Sequence, residues 1–312
     1  MMAATRTAAV LVNWNGATDT LATLASLDRA AGREALRVVV VDNGSTDDSV
    51  ERLRREPPGA PFELLTTGAN LGFAGGNEVG IRHVLADPAV ARVLLLNTDV
   101  AVDPGFLPPL LAAVDAPGVA AAGPKIFYFD PPDRLWAAGG RLRIRETVTV
   151  ELGRGELDGP RWNEAADVTY LTTCCLLVTR EALEKVGLFD STYFINVDDA
   201  DWCRRALDRG LRLRYVPESR IWHKVAASTA GSYTPTKTFH TGRSNALYVR
   251  RHGGALGLAG FLAANLLTLP VAWLRELPRG NGRAAFAKAR GVLRGLRDPL
   301  PEPPRLASGG RA

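Results

Sequence analysis

Asp198, Asp199 and Asp201 put three carboxylates within four residues, directly after Tyr193-Phe194-Ile195-Asn196-Val197. Such acids repel one another unless a cation or a proton offsets the charge, so at least one pKa rises. A raised carboxylate suits a general base that takes a proton from an attacking hydroxyl. The same run also reads as the first turn of a helix, where the dipole favours acids, and both readings hold together. Asp198, Asp199 and Asp201 are therefore the candidate catalytic acids, with the choice between Asp198 and Asp199 open. Trp202, next in the chain, is expected on the side of a second substrate.

Other polar groups stand where apolar runs stop. Asp42 follows four valines and precedes Asn43-Gly44-Ser45, which places it at a strand's carboxyl end, where open α/β sheets bind ligands. There it accepts a hydrogen bond from a base or a ribose hydroxyl, or it simply turns the chain before Asn-Gly. Asn13 and Asn15 close the first strand in the same way, and Asn70 opens a glycine-rich entry, Leu71 to Asn77, onto a helix. Asn97 and Asp99 end the run Val93 to Leu96. Asn13, Asn15, Asp42, Asn70 and Asn97 form the candidate nucleotide-binding set. Asp99 suits a hard divalent cation that draws its remaining ligands from water and diphosphate. His223, between Trp222 and Lys224, is a second candidate ligand. As imidazole is softer than Mg²⁺ prefers, it favours Mn²⁺.

These groups need a scaffold that carries strand ends to one edge. Short Val- and Leu-rich runs at 8–12, 38–41, 62–65 and 93–96 alternate with helix-period segments at 20–27, 47–55 and 75–85. That alternation predicts βαβ units and a mostly parallel sheet, an α/β fold. After Gly123 the pattern predicts loops and antiparallel hairpins laid over the sheet. A strand-like stretch from Val168 to Val178 follows, then helices at 180–186 and 202–209 ended by Gly187 and Gly210. The expected divisions are 1–122, 123–250 and a basic, apolar helical tail at 251–312.

A chain of 312 residues with 46% hydrophobic content buries a substantial core. The net charge is only +5, but basic residues crowd the chain from Arg250 onward, which suits an anionic surface or substrate. Three cysteines make no disulfide framework and no zinc spacing, in keeping with a reducing cytosol. Met1 to Thr7 holds no apolar leader core. Gly254 to Leu274 is uncharged and long enough to span a bilayer, although Asn265, Thr268 and Pro270 favour an interfacial segment. A buried helix is the alternative.

Taken together, Val12 to Gly16, Val41 to Asp47, Asn70 to Asn77, Leu95 to Asp99 and Cys175 to Asp190 with the acidic cluster resemble glycosyltransferase family 2, in the family's order and over most of 7–250. The resemblance implies the GT-A fold: a mostly parallel, Rossmann-like sheet fused to a smaller acceptor-side region. It further implies an inverting transfer from a nucleoside-diphosphate sugar to a hydroxyl of a glycan or lipid-linked acceptor. By the same resemblance Asp42 contacts the base, Asp99 is the retained acid of the metal motif, Asp199 is the catalytic base and His223 a metal ligand. The implied cofactor is Mn²⁺ or Mg²⁺.

Two departures stand out. Asn97 replaces the first acid of the metal motif, and Asp198 the usual Glu beside the base. The stretch from Gly123-Pro124-Lys125 through Ala138-Gly139-Gly140 and the later Arg243-Ser244-Asn245 are similar to the rhamnosyl- and galactofuranosyltransferase subgroup. The expected setting is the cytoplasmic face of the cell membrane, in peripheral contact with it, without nucleic acid partners. A nucleotide-sugar-binding protein without turnover, a nucleotidyltransferase and a dinucleotide dehydrogenase are the rivals. The intact acidic cluster argues against the first. The second lacks an N-terminal basic loop and the third a G-x-G-x-x-G turn.

Overall fold

The computed structural model describes residues 6–145, 147–225 and 234–306. The reading of Met1 to Thr7 falls mostly outside them. The first half alternates as its periodicity predicts: β1 (Arg6–Asn13), α1 (Ala17–Leu27), β2 (Leu36–Asp42), α2 (Ser49–Arg55), β3 (Glu63–Thr66), α3 (Gly72–Leu85) and β4 (Val90–Leu96). Along β1, Ala8 and Val10 join the core that holds Ile81 and Val84 of α3, whereas Ala9 and Leu11 join the core that holds Leu24 and Leu27 of α1. Successive side chains of a strand point to opposite faces, so an unbroken apolar run here means burial on both.

The chain continues through β5 (Val100–Val102), α4 (Leu107–Val114), β6 (Val119–Tyr128), β7 (Leu135–Ala138), β8 (Gly140–Leu142), β9 (Thr149–Glu151), β10 (Ala166–Val168), β11 (Cys175–Thr179), α5 (Arg180–Val186), α6 (Asp198–Leu207) and β12 (Arg212–His223). It ends in α7 (Pro235–His252), α8 (Gly254–Glu276) and α9 (Gly282–Gly295). One ten-stranded sheet runs β10-β12-β6-β11-β4-β1-β2-β3, with β5 on β12 and β7 on β6. β1 to β4 form its parallel part, and β6 lies parallel to β12. β5, β7, β10 and β11 run antiparallel to their neighbours, which makes the sheet mixed.

The second half corrects one expectation. The region after Gly123 is not all hairpins and loops, because β6 is a central strand that passes through Gly123-Pro124-Lys125. A proline lacks the N–H that a ladder needs, and the register on β12 slips between Val216 and Arg220, opposite Pro124 and Lys125. Lys125 is fully buried, and its ammonium donates to Asp158 at 2.7 Å and to Asn163 at 2.6 Å, tying down the loop beyond β9. The expected hairpin exists separately as β8 and β9. The stretch 168–178 is two strands joined by a turn, and the second of the two expected helices starts four residues early, at Asp198. The divisions at 122/123 and 250/251 fall inside β6 and inside α7, so neither separates independent units.

Three parallel strands end together: Asn13 pairs with Asp42, and Val10 with Leu95 shortly before Asn97. β11 enters antiparallel at the same edge, with Cys175 opposite Leu96, and β12 delivers His223 opposite Val100. All these ends lie on one rim. Behind it, α3 packs onto β1 through glycine, and a Cβ on Gly80 would lie 2.3 Å from a methyl of Val10. Val10 is β-branched and fully buried, so it has nowhere to turn. Gly80→Ala is expected to lower stability by about 1–3 kcal/mol; an unchanged urea midpoint would show a looser α3–β1 contact than described.

Candidate active site

At the end of β1 and β2 the polar groups are largely consumed by one another. The Asn13 amide donates to Asp42 at 2.7 Å and to Ser45 at 3.2 Å, and its oxygen accepts from Thr20 at 2.8 Å. Asn13 is completely buried, so the direct nucleotide contact expected of it is corrected: it orients Asp42. Asp42 also accepts from the Ser45 hydroxyl at 2.6 Å and the Ser45 N–H at 3.0 Å, which closes the turn after β2. Asn15 is exposed with φ 50° and its oxygen accepts from the Thr46 N–H at 2.8 Å. Asn70 accepts from Gly72 N–H at 2.8 Å at the start of α3. Beside this network the Trp14 ring is 43% exposed. The rim here is a prebuilt polar shelf with one aromatic face.

Asp99 and His223 meet across the β5–β12 pairing, with Nε2 of His223 3.2 Å from a carboxylate oxygen of Asp99. Burial opposes charge on Asp99, but hydrogen bonding from His223 and its charge outweigh this and hold the carboxyl below its usual range. The side-chain oxygen of Asn97 and Nδ1 of His223 are buried without hydrogen-bond partners, and buried polar atoms of that kind call for a ligand. Trp136 of β7 stands edge-on to His223, ring centroids 4.8 Å apart, and Arg154 lies over the Trp136 ring at 5.9 Å.

The turn that precedes β11 links this pair to the acidic cluster. Asn97 N–H donates to Cys174 C=O at 2.9 Å, while the Thr173 backbone hydrogen-bonds Asp199. Burial pushes the Cys174 thiol well up, with help from both Asp99 and Asp199, so it lies within reach of both charges. Asp99 and Asp199 thus flank one short turn, despite lying a hundred residues apart in sequence.

Within the cluster the three acids separate by environment. Asp199 accepts from the Tyr170 hydroxyl at 2.8 Å and from the Ala200 N–H at 2.8 Å. Burial raises its pKa, and those donors pull it part of the way back. Asp198 is raised well above the usual range by burial and by the charge of Asp199, and one of its oxygens has no partner. Asp201 differs. It accepts from Arg205 at 2.7 Å, Tyr193 at 3.0 Å, Arg251 at 3.1 Å and His252 at 2.8 Å. Burial works against its charge, yet His252, Arg205 and Arg251 together drive its pKa far below normal. Asp201 is corrected from catalytic acid to anchor, because such a carboxylate neither reaches a substrate nor takes up a proton near neutrality. Trp202 is corrected too: fully buried, it stacks on Phe189 and donates to Gly187 C=O at 2.9 Å, away from any acceptor.

Phe194, Asn196 and Val197, just before the cluster, all have positive φ, at 58°, 62° and 72°. Such values in a β-branched residue are strained and need external support. α7 supplies it: Ser244 donates to Tyr193 C=O at 3.0 Å, Arg243 to Thr192 C=O at 2.6 Å, and His240 stacks on Phe194 at 4.7 Å. Sequence reasoning singled out none of Tyr170, Trp136 and Arg154; Trp136 lies within the 123–140 stretch, and the other two lie in no motif. The only trace of Tyr170 is an aromatic with a hydroxyl at the end of an alternating stretch.

The chain matches the family model described as glycosyltransferase-like family 2 over residues 5–253. It is 31% identical over 251 residues to a Mycobacterium tuberculosis protein named N-acetylglucosaminyl-diphospho-decaprenol L-rhamnosyltransferase, covering 74% of this chain and 80% of that one. It is 22% identical over 239 residues to the dTDP-rhamnosyl transferase RfbF of Shigella flexneri, covering 69% and 71%. Among solved structures it is similar to the mannosyltransferase PcManGT of Pyrobaculum calidifontis in complex with GDP-Man and Mn²⁺, with a TM-score of 0.56, 17% identity, and 94% and 87% of the two chains covered. It is also similar to GalNAc-T7 with UDP, GalNAc and Mn²⁺, with a TM-score of 0.59, 14% identity, and 80% of this chain but 48% of that one covered. At these identities the structural likeness speaks to the fold alone.

Two substitutions separate the acids experimentally. Asp201→Asn strands Arg205 and Arg251 and is expected to cost about 3–5 kcal/mol. The depressed pKa of Asp201 means that its contribution is complete above the usual carboxylate range and is lost as pH falls toward the folded value. The variant's stability deficit, read by denaturant unfolding, therefore shrinks in acid; a constant deficit would remove the anchor role. Tyr170→Phe deletes a donor to ionised Asp199, so the carboxyl pKa rises further and the acidic limb of the kcat/KM profile moves to higher pH. A limb that stays in place would disconnect the two residues.

Proposed function

The chain belongs to the glycosyltransferase-like family 2 and is a glycosyltransferase of GT-A fold, and on that footing we propose that Asp199 is the base of an inverting transfer from a nucleoside-diphosphate sugar. The observation that carries the reading is the placement of Asp199 and the Asp99–His223 pair on either side of the Thr173-Cys174 turn. In its ionised form Asp199 takes the proton of the acceptor hydroxyl as that oxygen attacks the anomeric carbon from the face opposite the diphosphate. Tyr170 keeps the carboxylate oriented and lowers the cost of its charge. Burial and the charge of Asp199 push the Asp198 carboxyl well up, which favours its neutral form and eases the repulsion between the two acids.

The donor set at Asp99, His223 and Asn97 fits a divalent ion. It offers one carboxylate, one imidazole and an unpartnered amide oxygen. Among the described residues no group of three or more His, Cys, Asp or Glu side chains could hold an ion alone, so the remaining ligands come from water and diphosphate. The imidazole favours Mn²⁺ over Mg²⁺. When bound, such an ion neutralises charge on the leaving diphosphate. On the shelf at the other end of the rim, Asp42, Asn15 and Asn70 take the nucleoside.

The rhamnosyltransferase names of the relatives favour a deoxythymidine-linked rhamnose as donor and a lipid-diphosphate-linked sugar as acceptor, in cell-surface polysaccharide or glycolipid synthesis. Such an acceptor supports a setting at the cytoplasmic face of the membrane, in peripheral contact with it.

Asp199→Asn is expected to lower transfer by about 10³-fold, within the range for a lost general base, while donor affinity stays within about twofold. Nucleotide release from dTDP-rhamnose and uridine-linked hexoses with Mn²⁺ or Mg²⁺, beside calorimetric titration of the donor, measures both. Equal loss of turnover and binding would make the residue structural.

A further inference from the structure

α8 runs from Gly254 to Glu276 with only Phe261 and Asn265 buried. Leu256, Leu266 and Leu267 are 90%, 76% and 72% exposed, and Val271, Trp273, Leu274 and Leu277 also face outward. The helix rests on α7 and α9 along one side only, and among the described residues nothing covers most of its apolar surface. It is also long and apolar enough to cross a bilayer.

Its neighbours decide the orientation. Thr238 of α7 donates to Ala284 C=O of α9 at 2.7 Å, and Arg250, near the other end of α7, donates to Gly295 C=O at 2.8 Å. α7 and α9 therefore run side by side in the same direction. α8 joins the end of α7 to the start of α9, so it runs back antiparallel to both. The α7–α9 contact is backbone on backbone: a Cβ on Gly291 would lie 2.0 Å from Phe239 C=O, and one on Gly295 2.4 Å from Arg243 C=O. Standing α8 upright across a bilayer would carry this pair into the hydrocarbon with it, together with the Arg243–Asp298 ion pair at 2.6 Å. α8 fits a membrane only by lying in its plane.

α9 supplies the matching charge. Arg283, Phe286, Arg290, Leu293 and Arg297 recur at steps of three and four on one exposed face. Among the described residues Arg283, Arg290 and Arg297 make no ion pair. From Gly254 to Arg297 the chain holds seven Lys or Arg against one acid, Glu276. Trp273 of α8, Leu277 just after it, and Arg283 and Phe286 of α9 line one shallow depression, which makes the two faces continuous. Guanidinium groups interleaved with apolar side chains beside an apolar helix match the boundary between anionic headgroups and acyl chains.

We propose that α8 and the Arg283–Arg297 face of α9 form a monotopic docking surface for an anionic phospholipid bilayer, with α8 in the membrane plane. This deepens the reading of a lipid-linked acceptor and rests on it for purpose, not for chemistry.

Flotation with phosphatidylcholine vesicles, with and without phosphatidylglycerol, tests it on the full chain. Binding is expected only to anionic vesicles, to weaken in 0.5 M salt, roughly three times the physiological level, and to be released by alkaline carbonate. The triple variant Arg283→Glu, Arg290→Glu, Arg297→Glu is expected to lose at least about fivefold in affinity per guanidinium. Leu266→Asp with Leu267→Asp is expected to abolish flotation. Both variants should retain the wild-type circular dichroism and nucleotide release in solution. Equal binding to both vesicle types, or carbonate-resistant retention, would overturn the proposal. So would self-association without vesicle binding that Leu266→Asp removes, which would assign the face to a second copy. Failure to release nucleotide from any donor would sink the functional reading and leave the flotation result standing.

Discussion

A single buried carboxylate holds the catalytic half together. Asp201 has no exposure to water, and it gathers Arg205 from its own helix, Arg251 and His252 from α7, and the hydroxyl of Tyr193 from the strained loop. Removing a carboxylate from water is expensive, and only several donors together offset it. The consequence is geometric. With Asp201 fixed at the first turn of α6, Asp199 of the same turn meets Tyr170 and the Thr173 backbone, and the backbone before them accepts three positive φ values in four residues. The chemistry attributed to Asp199 depends on a neighbour that takes no part in it.

The same turn shows how adjacent acids acquire different duties. Asp199 meets a phenol and two backbone N–H groups, Asp201 meets cations, and Asp198 has an oxygen that meets nothing. Composition made the cluster visible in the sequence, but the division among its members comes from Arg205 of α6, Arg251 and His252 of α7, and the hydroxyls of Tyr193 and Tyr170. Asn97 and Asp99 repeat the pattern on a smaller scale. The amide that replaces an acid there leaves a single carboxylate to pair with His223, a weaker site that leans more heavily on its ligand's own oxygens.

The parallel half of the fold was legible because Val38 to Val41 and Val93 to Leu96 are buried on both faces and therefore unbroken in the sequence. β6 was not, since Gly123-Pro124-Lys125 reads as a turn unless a bulge on β12 stands opposite, and that bulge lies ninety residues away. Asp42, Asp99 and His223 were legible as polar ends of apolar runs, and the structure sets Asp99 beside His223. Asn13 and Trp202 misled for a common reason. A side chain able to bind a ligand is equally able to bind its own protein, and only packing shows that Asn13 spends its amide on Asp42 and Thr20 and that Trp202 lies against Phe189. The packing of α8 was beyond the sequence as well, because it depends on α9 running alongside α7 in the same direction.

Backbone-to-backbone contact at Gly291 and Gly295 leaves no compliance between α9 and α7, and α7 in turn grips the loop that carries Asp199. Whatever plane α8 rests on, the Asp199 carboxylate stands at a fixed altitude above it, set by packing and not by a tether. With Asp199 as the proposed base and a bilayer as the proposed plane, such an enzyme measures its acceptor: a hydroxyl carried too close to the plane, or too far from it, never comes level with the base, however well its sugar is recognised.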